Sequence, residues 1–164
     1  MKGIKIYLSL GSNMGDRAHY LKNARSSIES KAGEIISRSR IYETLAWGNT
    51  DQPNFLNQVI EVLTFEKPEQ LLHILQQIET DFGRQRTEHW GPRTLDIDIL
   101  FYGDEIHKGI SLEIPHPEVI NRLFVLMPLN DIAPNFIHPS ENQSIAILMQ
   151  KIPNNDQIWP YKHG

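Results

Sequence analysis

The residues best suited to chemistry lie in Trp90-Gly91-Pro92-Arg93-Thr94-Leu95-Asp96-Ile97-Asp98-Ile99-Leu100-Phe101. The second half alternates like a β-strand, in which residues i and i+2 share a face. Leu95, Ile97, Ile99 and Phe101 then point one way, and Asp96, Asp98 and Leu100 the other. The two aspartates stand roughly 7 Å apart at their Cα atoms. Like charges this close repel, so the pair needs a divalent cation, an arginine or a shared proton. Arg84, Arg86 and Arg93 lie just upstream. Carboxylates for a hard cation beside guanidinium groups for an anion suggest magnesium and phosphate. The plainer alternative is a half-exposed strand with two solvated acids.

The other candidates each have a plain reading as well. Arg84-Gln85-Arg86-Thr87-Glu88-His89-Trp90 mixes cations with an aromatic. The planar fork of arginine suits phosphate oxygens, whereas a solvated charge run is the default. Trp90 is either a core anchor or a stacking face for a base. Arg122 joins the arginines as a candidate. His116, between Pro115 and Pro117, is either a polar helix cap or a phosphate donor or proton carrier. Asn57 is an amide within an apolar strand, where a buried amide needs partners and can read the edge of a heterocycle. Phe124 reads equally well as core. Two motif resemblances fail on context. Asp81-Phe82-Gly83 spells a kinase magnesium motif but lacks the accompanying loops. Gly11-Ser12-Asn13-Met14-Gly15 lacks the Gly-Lys-Ser/Thr of a P-loop, and no zinc-type histidine spacing occurs.

Positioning these groups requires a regular frame. Alternation predicts a strand over 4–10, then a turn over 11–16 and a helix over 17–30, capped by Asp16 or Asn13, with Leu21, Ala24 and Ile28 inward. A strand follows over 35–44, a loop over 45–54 and a strand over 55–65. Pro68 marks a helix start, Leu71, Leu72, Leu75, Ile78 and Phe82 give it an apolar face, and Gly83 stops it. A polar loop spans 84–94 and a strand 95–102, closed by a hairpin-type turn at Gly103-Asp104. A helix is expected over 117–127, stopped by Pro128, and a last one over 144–151. The order β-α-β-β-α-β over 4–102 predicts an α+β class with a ferredoxin-like core and added strands and helices, forming one domain over 1–164.

The 164 residues are 40% hydrophobic and 22% charged, which excludes disorder and a coiled coil. A net charge of −4 argues against a nucleic-acid partner. Cysteine is absent, removing disulfides and thiol chemistry and fitting a cytoplasmic location. The apolar run over 4–10 is too short for a membrane span, and no cleavage site follows it.

Together the residues resemble a known family. Leu10-Gly11-Ser12-Asn13, Asp51-Gln52-Pro53-Asn54-Phe55-Leu56-Asn57, Gly83-Arg84 and above all Trp90 through Asp98 are similar to the 6-hydroxymethyl-7,8-dihydropterin pyrophosphokinases. Pro115-His116-Pro117, Asn121-Arg122 and Ile132-Ala133-Pro134 extend the likeness in order. It implies a monomer in folate biosynthesis that moves the β,γ-diphosphate of ATP onto the pterin hydroxymethyl group and releases AMP. By the resemblance Asp96 and Asp98 hold two Mg2+ ions, and with Arg84 and Arg93 form the catalytic set. Thr44, Trp47, Phe55, Asn57, Asp96 and Phe124 would line the pterin pocket. Gln76, Glu79, Arg84, Trp90, Arg93, Ile99, His116 and Arg122 would lie on the nucleotide side, with Trp90 on a lid loop. The chain departs from the pattern in having no proline soon after Thr44 and in carrying Phe55 where tyrosine is common.

Overall fold

The computed structural model describes residues 2–45, 53–83, 94–153 and 157–162. The elements are β1 (Ile4–Ser12), α1 (Arg17–Lys31), β2 (Gly33–Arg38), β3 (Tyr42–Thr44), β4 (Phe55–Thr64), α2 (Pro68–Asp81) and β5 (Asp96–Tyr102). There follow β6 (His107–Lys108), β7 (Glu113–Ile114), a 3-10 turn (Val119–Asn121), α3 (Leu123–Ile132), α4 (Ile145–Gln150) and β8 (Ile158–Pro160). The main sheet has the order β5-β1-β4-β3-β8, with β2 also paired to β4. All of its pairings are antiparallel. The α+β class expected from the sequence holds.

The helix crossovers explain the layering. α1 joins β1 to β2 across β4, and α2 joins β4 to β5 across β1. Ile6, Leu8 and Leu10 of β1 pack with Leu21, Ala24 and Ile28 of α1 and Leu71, Leu75 and Ile78 of α2. On the opposite face Tyr7 and Val59 pack with Val125, Leu126 and Leu129 of α3 and with Ile145 and Leu148 of α4. β1 is therefore buried on both sides, as a central strand covered by two helical layers must be. Asp16 caps α1 by accepting the His19 N–H at 3.2 Å. Pro68 opens α2, and Gly83, at φ 82°, follows its end in the left-handed region that glycine tolerates. No helix among the described residues is long and apolar enough to cross a membrane.

Five expectations are corrected. The strand over 35–44 is two strands, because at Ser39 only its N–H keeps a backbone partner, the Val59 carbonyl at 2.9 Å, and side chains take the rest of the ladder. The Ser39 hydroxyl accepts the Val59 N–H at 3.0 Å, and Gln58 Nε2 donates to the Ser39 carbonyl at 2.8 Å. The Gly103-Asp104 turn makes no hairpin of β5, since β6 pairs with β7 instead. The helix placed over 117–127 begins later. Arg122 is extended at φ −117° and ψ 103°, separating the 3-10 turn from α3. Pro128 lies inside α3 rather than ending it. The N–H that proline lacks costs the helix one bond, and burial of Leu123, Val125, Leu126, Pro128 and Leu129 offsets that. Phe101 does not share the face of Ile97 and Ile99. A bulge shifts the register so that Tyr7 pairs with Phe101 and Leu8 with Ile99, leaving Leu100 as the extra residue. Leu100 and Phe101 thus both enter the α3 side. The short strands β6, β7 and β8 carry too little pattern to be expected from sequence.

Candidate active site

Pleat and register assemble the site. Asp96 and Asp98 point away from the face that buries Leu95, Ile97 and Ile99. Gly11 pairs with Asn57 on one side and with Asp96 on the other, and Ser9 pairs with Val59 and Asp98. Paired residues share a face, so Asn57, Gly11 and Asp96 form one row across three strands, with Asp98 one step along. The row is about 10 Å from end to end, two strand spacings. Its middle member has no side chain. A Cβ there would stand 3.4 Å from Asn57 Oδ1 and 3.9 Å from Phe55 Cδ1.

The amide at one end of the row is fixed. Asn57 Nδ2 donates to Thr44 Oγ1 at 3.0 Å, and both residues are buried. Its oxygen is thereby turned toward the Gly11 gap, ready to accept from a heterocycle. Phe55 pairs with Thr44 and lies half-buried at the start of β4.

The carboxylate end is held from behind. Glu79, on the inner face of α2 and 3% exposed, accepts the Ile97 N–H on Oε2 at 2.8 Å. Ile97 separates Asp96 from Asp98, so this bond fixes the backbone that aims both carboxylates. Gln76 lies one turn earlier on α2 and is half-buried. Ile99 packs into the core against the helices, which leaves only its backbone available to a ligand.

His116 and Arg122 converge on the same end. The His116 N–H donates to the Leu100 carbonyl at 3.0 Å, tying the residue to β5. Its Nδ1 accepts the Glu118 N–H at 3.1 Å, which leaves the proton of the neutral ring on Nε2 as a donor. Burial, and then the Arg122 guanidinium, hold the imidazole below its ordinary value. The Glu118, Asp96 and Glu113 carboxylates oppose the shift in part. The Arg122 guanidinium lies 5.7 Å from the Phe124 ring centroid, bringing a cation and an aromatic together at the start of α3.

The donor set suits a hard cation. Among the described residues no cluster of three or more His, Cys, Asp or Glu side chains forms a closed metal cage. Magnesium does not require one, since it binds through one or two carboxylates with waters and substrate phosphates. The structure thus brings Asp96, Asn57, Thr44 and Phe55 onto one sheet face and ties His116 to the same strand, β5, through Leu100. Trp47, Arg84, Arg86, Trp90 and Arg93 lie outside the described residues. Two features escaped the sequence reading: Gly11 as the floor of the gap, and Glu79 as the anchor of β5.

Residues 7–134 match the family model described as 7,8-dihydro-6-hydroxymethylpterin-pyrophosphokinase. A 2-amino-4-hydroxy-6-hydroxymethyldihydropteridine pyrophosphokinase of Bacillus subtilis is 45% identical over 159 residues, 96% of this chain and 92% of that protein. A protein of the same name from Aquifex aeolicus is 44% identical over 134 residues, 82% of this chain and 83% of that protein. The folic acid synthesis protein fol1 of Pneumocystis carinii is 43% identical across 92% of this chain, which spans only 20% of that longer protein. A crystal structure of a Plasmodium falciparum HPPK-DHPS triple mutant superposes with a TM-score of 0.75 at 22% identity, covering 92% of this chain and 44% of the other.

Proposed function

Because the chain belongs to the 7,8-dihydro-6-hydroxymethylpterin-pyrophosphokinase family, we propose that it transfers the β,γ-diphosphate of ATP to the hydroxymethyl group of 6-hydroxymethyl-7,8-dihydropterin. The products are the pterin diphosphate and AMP, in folate biosynthesis. One observation supports the reading: the row Asn57–Gly11–Asp96 sets an amide, a position without a side chain and a carboxylate side by side on one sheet face.

The ring lies over Gly11, with Asn57 accepting from its edge and Phe55 and Phe124 supplying aromatic surface; Trp47 and Thr44 complete this side. The hydroxymethyl group then points toward Asp96. Its oxygen bonds to the β-phosphorus and gives up its proton to solvent, while the bond from that phosphorus to the oxygen bridging it to the α-phosphate breaks, and AMP leaves carrying the bridging oxygen. Phosphoryl chemistry of this kind needs positioning and charge stabilisation above all. Asp96 and Asp98 would hold two Mg2+ ions, which when bound neutralise phosphate oxygens. His116 donates from Nε2 to a phosphate, an assignment supported by the occupied Nδ1, and Arg122 adds a positive charge. Gln76, Glu79 and the Ile99 backbone lie on the nucleotide side. Arg84 and Arg93 are assigned from the sequence pattern to the charge that develops during transfer, with Trp90 on the same loop.

Residues 1–164 act as one cytoplasmic, monomeric domain on small-molecule substrates, independent of nucleic acid and membrane. Incubation with ATP, Mg2+ and the pterin tests the activity. AMP release only when the pterin is present is expected; ADP, or no nucleotide product, refutes it. A sedimentation mass of twice the chain would refute the monomer.

A further inference from the structure

The edge of the sheet farthest from β5 carries a cluster that the proposed chemistry does not use. β8 pairs with β3 so that Ile158 faces Thr44, Trp159 faces Glu43 and Pro160 faces Tyr42. The pairing extends one residue each way, with Leu45 N–H donating to the Gln157 carbonyl at 3.2 Å and Tyr161 N–H to Ile41 at 2.9 Å. Side chains lock these two strands to the start of α1. Trp159 Nε1 donates to Glu43 Oε1 at 3.2 Å, and Arg17 Nη1 donates to Glu43 Oε2 at 2.8 Å. The same Nη1 reaches the Asn54 carbonyl at 2.8 Å, and the guanidinium lies 5.8 Å from the Tyr161 ring centroid. Asn13 Nδ2 holds the adjacent Pro53 carbonyl at 3.2 Å.

This cluster stands behind the pterin side of the site. Glu43 and Trp159 occupy the sheet face toward α1, where Arg17 sits; Thr44, one residue on, occupies the opposite face with Asn57 and Phe55. β3 has three residues; the buried Tyr42 fixes its first position through a hydrogen bond from its hydroxyl to Asp131 of α3 at 3.0 Å, which leaves the Glu43–Thr44 end to be held by β8. Thr44 Oγ1 in turn accepts from Asn57 Nδ2 and so holds the amide in place with its oxygen on the Gly11 side. If β3 shifts, Asn57 loses that partner, and a rotated amide presents a donor where the ring requires an acceptor.

We infer that β8 and the Arg17–Glu43–Trp159 cluster are a positioning element for pterin recognition, acting through Thr44 on Asn57. The inference rests on the proposed function and adds a specificity-setting part to it. The nucleotide side is insulated, because β5 lies at the far end of the order β5-β1-β4-β3-β8. The effect is therefore selective between the two substrates.

The test is initial-rate kinetics on Trp159→Phe, which keeps an aromatic ring and removes the donor. Far-UV circular dichroism confirms folding, and a fluorescence titration gives pterin affinity. The KM for the pterin rises about tenfold, while that for ATP stays within about twofold, because the lost bond is to a charged group remote from the phosphates. The pterin dissociation constant rises in step. If Trp159→Phe does not fold, Glu43→Gln carries the same test at conserved volume. Equal changes in both KM values, no change in either, or failure of both variants to fold overturns the inference. Pterin-dependent AMP release by the unaltered chain reports separately on the proposed function.

Discussion

Replacing Gly11 with alanine separates folding from function. Gly11 is in the interior of an extended strand and has no positive φ, so alanine fits the backbone. The added Cβ meets Asn57 Oδ1 at 3.4 Å, Leu56 O at 3.9 Å and Phe55 Cδ1 at 3.9 Å, all ordinary contact distances. Removing glycine from a strand interior contributes about 0.5–1 kcal/mol of stability. The variant should thus be as stable as the parent or slightly more so. The methyl rises about 1.5 Å from the sheet, a single carbon–carbon bond, into the gap between Asn57 and Asp96. A ring over this row must lift or slide by about that amount, and a misplacement near 1 Å can cost about 10²-fold. We expect kcat/KM for the pterin to fall about 100-fold, with ATP-analogue affinity unchanged and an unfolding midpoint in urea at or above that of the parent. Parental kcat/KM in a folded Gly11→Ala protein would refute the idea that the ligand lies over this row.

Asp98→Ala should lower kcat at least about 100-fold, since a carboxylate holding a catalytic cation contributes several kcal/mol; near-parental turnover with Mg2+ would remove Asp98 from the metal set. Glu79→Ala leaves the Ile97 N–H without its acceptor and should destabilise by about 1–3 kcal/mol, read as a lower urea midpoint with the slope retained. His138 titrates below its ordinary value, chiefly through burial, and its Nδ1 accepts the Ser140 and Glu141 N–H groups. The unfolded chain therefore binds more protons than the folded one as pH falls below about 6.5, the unfolded value. Stability should hold above that pH and decline from about 6.5 downward. His138→Gln should flatten the decline, leaving the share contributed by His116; an unchanged pH profile would contradict this.

What the sequence revealed depended on how local each cause was. The alternation from Leu95 to Ile99 is a property of one strand, so the common face of Asp96 and Asp98 could be read directly. Asp16, Pro68 and Gly83 act within one turn of their helices and were equally legible. The break at Ser39 depends on Gln58 and Val59, nearly twenty residues away, and no local pattern announces it. Pro128 looked like a stop because its cost is local, whereas the packing that offsets it comes from the opposite core. Glu79 was a missed signal rather than an absent one. It follows Leu71, Leu75 and Ile78 on the apolar stripe of α2, where a carboxylate is expected to have a buried partner. The Arg17–Glu43–Trp159 cluster joins three segments more than a hundred residues apart at its extremes, and only the folded chain displays it.

The bulge at Leu100 has a consequence for how this segment tolerates change. β5 has two halves in opposite phase: Asp96 and Asp98 serve the site, and Phe101 seals the α3 core. The single extra residue reconciles them. Without the bulge, strict alternation over the three steps from Asp98 to Phe101 would turn the aromatic into the apolar layer beneath α1 and α2. Deleting Leu100 would instead leave Asp98 opposite Ser9, Ile99 opposite Leu8 and the aromatic opposite Tyr7, the same register as a regular ladder. Carboxylates and aromatic would both keep their faces, and the loss would be the buried Leu100 side chain alone, so what the bulge adds to the fold is a second apolar side chain on the α3 face.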